Sequence, residues 1–210
     1  MRNGYLPAAA RTGVLMKPLF LANHPAIDFL NTNLAPDGRS IELLGTGTEY
    51  VEWLMAANLL DKKRGLDLTR RTSGKALDSA AEEARRVREW MRAWLTRWRS
   101  NPEGDYRKEI AALNTLLSRA TYTLAVVRDE SGLSVVDLPQ VQEADGLLGL
   151  VASQLAALIT HEQPELIKDC ANPACTLWFL DQTKSHRRIF CSASACGNRV
   201  RVAAFRQRKH

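Results

Sequence analysis

The chain has 210 residues, 45% of them hydrophobic, enough to bury the core of one ordinary domain with a small appendage. The first twenty residues lack an unbroken apolar run of signal-peptide length, and the longest apolar stretch, "GLLGLVASQLAALI", reads as too short and too polar to span a bilayer. A cytoplasmic globular protein with no membrane partner is expected.

Turn and small residues fill the first dozen positions, and order is expected to begin near Leu19. "HPAIDFLNT" (24–32) mixes apolar and polar positions in a pattern that fits a strand or a short helix. Pro36, Asp37 and Gly38 then form a turn, and "GTEYVEWLMAANLLD" reads as a helix with Thr48 as its N-cap. The strongest periodicity runs over 73–99. On a helical wheel Ala84, Val87, Trp90, Met91, Trp94, Leu95 and Trp98 fall within an arc of roughly 140°, a face wide enough to be core. Beside it Arg85, Arg88, Arg92 and Arg99 make a basic stripe, read as a solvated face diluted by Glu82, Glu83 and Glu89. A further helix follows "NPEGDYRKE", and "YTLAVVRDESGLSVVDL" reads as two short strands joined at "DESG". The last long helix covers about 141–160 and ends before Pro164. The expected fold is mainly α (α+β): a helical N-terminal domain with a short β-hairpin over 19–164, and a small C-terminal module, ribbon or treble-clef-like, over 165–210.

All four cysteines, Cys170, Cys175, Cys191 and Cys196, fall in that last segment with the spacing C-x4-C-x15-C-x4-C. Two close pairs across a short connector bring four thiolates around one tetrahedral zinc, and Pro173 and Gly197 suit the sharp turns that such pairs need. Disulfides would need an oxidising compartment, toward which nothing directs the chain. A redox dithiol usually shows C-x-x-C beside a strand and helix. One structural Zn²⁺ per chain is therefore expected, with His186 in the connector as a less favoured replacement ligand. Four thiolates leave no open coordination position, so the ion folds the module and activates no water. The sizeable apolar residues of the module, Leu177, Trp178, Phe179, Ile189, Phe190 and Phe205 among them, are too few for a core without the metal.

The net charge is +6, yet from Gln182 onward eight basic residues stand with no Asp or Glu, which leaves the first 181 residues at −2. A basic segment on a near-neutral body is an electrostatic footprint for a polyanion. The candidate contacts are Arg187, Arg188, Arg199, Arg201, Arg206, Arg208 and Lys209. Lys184, Arg187, Arg188 and Arg199 are also near enough in sequence to offset the −2 of a zinc tetrathiolate. A helix is expected from Asn198, its N-cap, with Arg199, Arg206 and Lys209 on one side and Arg201 and Arg208 opposite.

At "CANPACTLWFLDQTKSHRRIFCSASACGNR" the chain resembles the CGNR zinc-finger family, named for the residues standing here as Cys196, Gly197, Asn198 and Arg199. Upstream, "HPAIDFLNT", the "ELL" of 42–44 and "VEWLMAANLL" resemble the ABATE domain that precedes this finger in bacterial stress-induced transcriptional regulators. The resemblance spans about 24–209. It implies the four cysteines as metal ligands and a module that binds nucleic acid, with DNA ahead of RNA. Arg187 and Arg188 match a basic pair before the third cysteine, while Ile189 and Phe190 stand where an arginine and a tryptophan are common, which removes one positive charge. The leading expectation is a DNA-binding regulator whose N-terminal domain senses a signal or forms a homodimer. An RNA-binding protein and a protein-interaction module built on the zinc knuckle are the alternatives. No catalytic residue is expected: His24, Asp28 and Asn31 lie close together but without a nucleophile, phosphate loop or open metal site, and capping and local hydrogen bonding account for them.

Overall fold

Proline in a first helical turn forfeits no hydrogen bond, because the N–H it lacks would have no partner there. Pro25 opens helix α1 (Pro25–Leu30) in this way, and the His24 side chain caps it by accepting the Ala26 N–H at 3.2 Å. The segment left between strand and helix is thus helical in the computed structural model of the chain, which describes residues 20–35, 40–130 and 132–207. A two-residue ribbon follows, β1 (Asn33–Leu34) paired with β2 (Ile41–Glu42). The start of order at Leu19 and the turn at Pro36, Asp37 and Gly38 lie outside the described residues.

Helix α2 (Gly47–Ala56) begins ahead of the expected Thr48 cap. Thr46 takes that role because Glu49 stands three residues on: the Thr46 hydroxyl accepts the Glu49 N–H, and the Glu49 carboxylate accepts the Thr46 N–H. Helix α3 (Lys62–Arg71), capped by Asp61, was hidden in sequence by its polar composition and the mid-helix Gly65. Then come α4 (Gly74–Ser100) with Ser73 as cap, α5 (Arg107–Leu117), and the strands β3 (Thr121–Asp129) and β4 (Gly132–Gln140). The chain continues through α6 (Leu147–His161), β5 (Ile167–Asp169), β6 (Trp178–Leu180) and α7 (Asn198–Gln207). The fold is mainly α with small antiparallel hairpins, as the sequence suggested. The β3–β4 strands are nine residues each, longer than expected.

The chain forms two compact units that do not follow chain order: Met1–Leu43 groups with Gln163–His210, and Leu44–Glu162 forms the other. The composition shift at 165 marks the change of chemistry but gives no sign that an N-terminal segment belongs with the metal module.

In the unit of Leu44–Glu162, α4 buries Leu77, Ala81, Ala84, Met91, Trp94 and Leu95. One member of its basic stripe is not solvated. Arg88 is 2% exposed, with its Nε donating to Glu89 at 3.0 Å. Arg85 spends its guanidinium on the carbonyls of Leu44 and Gly45. Burying arginine stems beside an apolar face extends the core, and the heads satisfy carbonyls or carboxylates. The α6 segment is also more apolar than expected: Ala144–His161 is long and apolar enough to pass for a membrane span by composition, with 56% of it buried here.

Helices α2 and α4 meet closely at Gly47, where a Cβ would lie 2.2 Å from the Leu77 carbonyl carbon. That neighbour is backbone and cannot swing aside. Gly47→Ala is therefore expected to cost about 1–3 kcal/mol, read as a lower denaturation midpoint with an unchanged fold.

Candidate metal centre

The first thiol pair hangs from the β5–β6 hairpin. Beyond the strand pairs Ile167 with Leu180 and Asp169 with Trp178, the Cys170 N–H bonds to Leu177 C=O at 3.0 Å. The intervening Asn172, Pro173 and Ala174 turn tightly enough for the Cys175 N–H to reach Asn172 C=O at 2.8 Å. The second pair is set by a wide helical turn. Ser192 caps it by accepting the Ala195 N–H, and the Gly197 N–H reaches back five residues to Ser192 C=O at 3.0 Å. This widened turn runs directly into α7, so helical winding begins at Ala193 and Asn198 is the first residue of α7 rather than its cap. A Cβ at Gly197 would stand 3.2 Å from the Phe190 ring, which explains the residue type at that point of the motif.

The four Sγ atoms lie within 4.8 Å of one another. Cys191 and Cys196 are 3.5 Å apart and Cys175 and Cys191 3.7 Å, far beyond disulfide length. Four sulfurs at Zn–S bonds of ~2.3 Å on a tetrahedron are about 3.8 Å apart, so the spacing suits one zinc ion. The titration of the cluster leads to the same conclusion. The hydrogen bond from Cys191 draws the Cys175 thiol down to about 5. Cys191 is pushed well above the usual thiol range, first by that same bond, then by burial and the neighbouring sulfurs. Burial likewise pushes Cys196 up. Four thiolates held this close together require a cation at their centre. Neutral donors aid them: the Cys191 N–H points to Cys170 Sγ at 3.4 Å, and the buried Asn172 amide to Cys196 Sγ at 3.5 Å. His186 is not among the clustered groups; its Nδ1 lies 3.2 Å from Asp181 O.

The core under the site is borrowed from far upstream. Leu34 joins Leu177, Phe179, Cys170, Cys191 and Cys196 in one buried cluster, with Leu21, Ile41, Leu43, Cys175 and Phe190 packed on it. Ile189 and Phe205, two of the module's larger apolar residues, are 55% and 59% exposed. The "HPAIDFLNT" residues make the junction. Asn31 bridges to β6 as a strand would, its amide donating to Trp178 O at 2.8 Å and its carbonyl accepting the Trp178 N–H at 2.9 Å. Asp28 Oδ1 accepts the Leu21 and Ala22 N–H groups, both at 3.0 Å, while burial raises its carboxyl to about 6 against those two bonds. Cap, tether and bridge account for all three polar residues; His24 and Asp28 act locally, as expected, while the partner of Asn31 lies 147 residues away.

Asp181, the last acidic residue before the basic run, is fully buried. Burial raises its carboxyl, but Lys168 Nζ at 2.7 Å, the Thr183 hydroxyl and N–H, and the Arg188 N–H outweigh this and hold it well below the usual carboxylate range. Arg188 itself faces inward. Its guanidinium lies 4.2 Å over the Phe179 ring and donates to the carbonyls of Phe190, Leu21 and Cys191. Arg187, Arg199, Arg201 and Arg206 are exposed, whereas Arg208 and Lys209 lie outside the described residues. Asn31, Asn172 and Asp181 escaped the sequence reading as site residues. Asp181 alone carried a signal, as a lone acid at the edge of an acid-free stretch.

A closed set of four thiols on two turns, followed by a basic helix, defines a zinc finger of the structural kind. Residues 23–162 match the ABATE family, described as "Putative stress-induced transcription regulator", and 167–209 match the CGNR zinc finger. The chain belongs to the ABATE family and carries a CGNR zinc finger after that domain. No curated protein matches it.

Proposed function

We propose that this protein is a cytoplasmic, non-catalytic transcriptional regulator that binds duplex DNA through its zinc finger and α7. One observation carries the reading. Arg187, Arg199, Arg201 and Arg206 are all exposed on and beside a metal-braced frame, with no carboxylate in the sequence from Gln182 onward. Arg199 and Arg206 stand two turns apart on one side of α7, about 10 Å along its axis, and Arg201 faces the other way. Such a helix presents cations to more than one phosphate row, which gives affinity; base-edge contacts from one or two arginines would give specificity. Arg188 contributes by folding the finger, because its guanidinium is already bonded to three carbonyls.

The family description and the finger's charge support this reading over a role in catalysis, since a four-thiolate ion has no position for substrate. The test is a titration of the zinc-loaded protein with duplex DNA across a salt series. Neutralising about four phosphates predicts a slope of log affinity on log salt near −3.6, and Arg201→Ala should reduce its magnitude by about 0.9. Arg188→Ala should instead lower stability. Tighter binding to single-stranded RNA than to duplex would reassign the module to RNA, and no binding to either with zinc in place would leave the protein-interaction alternative.

A further inference from the structure

The β3–β4 hairpin presents an apolar face to solvent. Its register pairs Tyr122 with Pro139, Leu124 with Asp137, Val126 with Val135 and Arg128 with Leu133, so these side chains share one face of the ribbon. On that face Leu124, Val126, Leu133 and Val135 are 66–71% exposed and Tyr122 is 42% exposed. A half-solvated antiparallel ribbon ordinarily turns polar side chains to water. Here the opposite face, with Val127, Val136 and Leu138, is the half-buried one, and apolar residues occupy both. The ribbon is two-stranded, so among the described residues neither strand pairs with a third. Two-stranded hairpins are marginal in water on their own, and a contiguous exposed aliphatic patch of this kind marks an interaction surface.

Two charges on the face indicate what covers it. Arg128 lies one cross-strand step from the central Val126–Val135 pair toward the turn, on β3. Asp137 lies one step from it in the other direction, on β4. The two positions are therefore equidistant from the centre and diagonal across it. A two-fold axis parallel to the face, at right angles to that diagonal, exchanges them. We propose that this face is a homodimer interface. The hairpin of a second copy lies antiparallel across it, with each Arg128 against the Asp137 of the other copy and the Leu124, Val126, Leu133 and Val135 side chains between them. Such a contact is isologous, and both ion pairs close by symmetry. A polyanion or an anionic lipid surface fits the face poorly, because its one cation is balanced by one anion. Strands of nine residues give a face about 30 Å long and about 10 Å wide. That is roughly 300 Å² per copy, below the ~800 Å² of a standard interface, so the dimer is weak and concentration-dependent.

The test is sedimentation of the full-length, zinc-loaded protein over a concentration series without nucleic acid, which keeps its outcome separate from the DNA-binding reading. The mass should rise from the 23.4 kDa of one chain toward twice that value in the micromolar range. Val126→Glu and Val135→Glu should hold it at one chain with zinc content and circular dichroism unchanged. Arg128→Asp should weaken the dimer about tenfold or more by setting like charges together, and adding Asp137→Arg should restore it; rescue by this exchange distinguishes pairing from hairpin misfolding. One chain at every concentration, or a dimer indifferent to all four substitutions, overturns the proposal. So does a one-chain protein that co-sediments with lipid vesicles and loses that binding in Val126→Glu, since the face would then serve a membrane.

Discussion

Cys191→Ser is expected to abolish stoichiometric zinc binding and unfold the finger, while the helical signal of α4 and α6 persists. Cys191 is 3% exposed, its thiol stands between Cys175 and Cys196, and its N–H supports Cys170. Losing it removes a ligand from the middle of the cluster. Structural zinc contributes about 10–16 kcal/mol of apparent binding free energy in small fingers, more than the whole stability of an ordinary domain. The local core has little to set against that loss: Leu34, Leu177 and Phe179 are its buried residues apart from cysteine. A strong chelator applied to the natural protein should produce the same state. The measurements are zinc per chain and proteolysis within the connector between Cys175 and Cys191. A variant that retains one zinc per chain and resists the protease would show that Cys191 is not a ligand.

Asn31→Ala should have the second-largest effect, and its site of action is 147 residues away in sequence, at Trp178. Both hydrogen bonds of this amide are buried, and its removal breaks both of them. At about 1–3 kcal/mol for each buried hydrogen bond broken, the loss is about 2–6 kcal/mol. Asn31→Asp should be no better, because a carboxylate cannot donate to Trp178 O and adds a buried charge. Asn33→Ala, where the side chain accepts a hydrogen bond from the exposed Ser40 hydroxyl, serves as the control with little effect. The expected readouts are a lower unfolding midpoint and faster loss of zinc to a competing chelator. For the same reason a peptide of 163–210 alone should hold zinc less tightly than the full chain. Equal zinc retention by Asn31→Ala and the natural protein would show that the upstream segment does not support the metal site.

The metal centre was legible in sequence because its chemistry is local. Thiolate is the zinc donor, each pair lies within one turn, and the two pairs are separated by a short connector. The tetrahedron follows from spacing before any tertiary contact is known. Helix α4 was legible for a similar reason, since a 3.6-residue period over many turns averages out single errors. That averaging fails for individual side chains. Arg88 sits beside the apolar arc and is read as solvated, yet it is buried because the flanking structure closes over its stem.

By itself the sequence determined the two close cysteine pairs that cluster in the fold, the mainly helical class and the concentration of positive charge after Gln182. Those features depend on residue type and short spacing, which neighbours in sequence specify. Only the tertiary structure decided that Leu21, Leu34, Ile41 and Leu43 build the finger's core with Asn31 as its bridge, that Arg188 faces inward while Arg199, Arg201 and Arg206 face out, and that the β3–β4 hairpin turns Val126 and Val135 to solvent. Each of these depends on which distant segment covers a given surface. Alternation along a strand states that two faces differ; it does not state which one the rest of the chain buries.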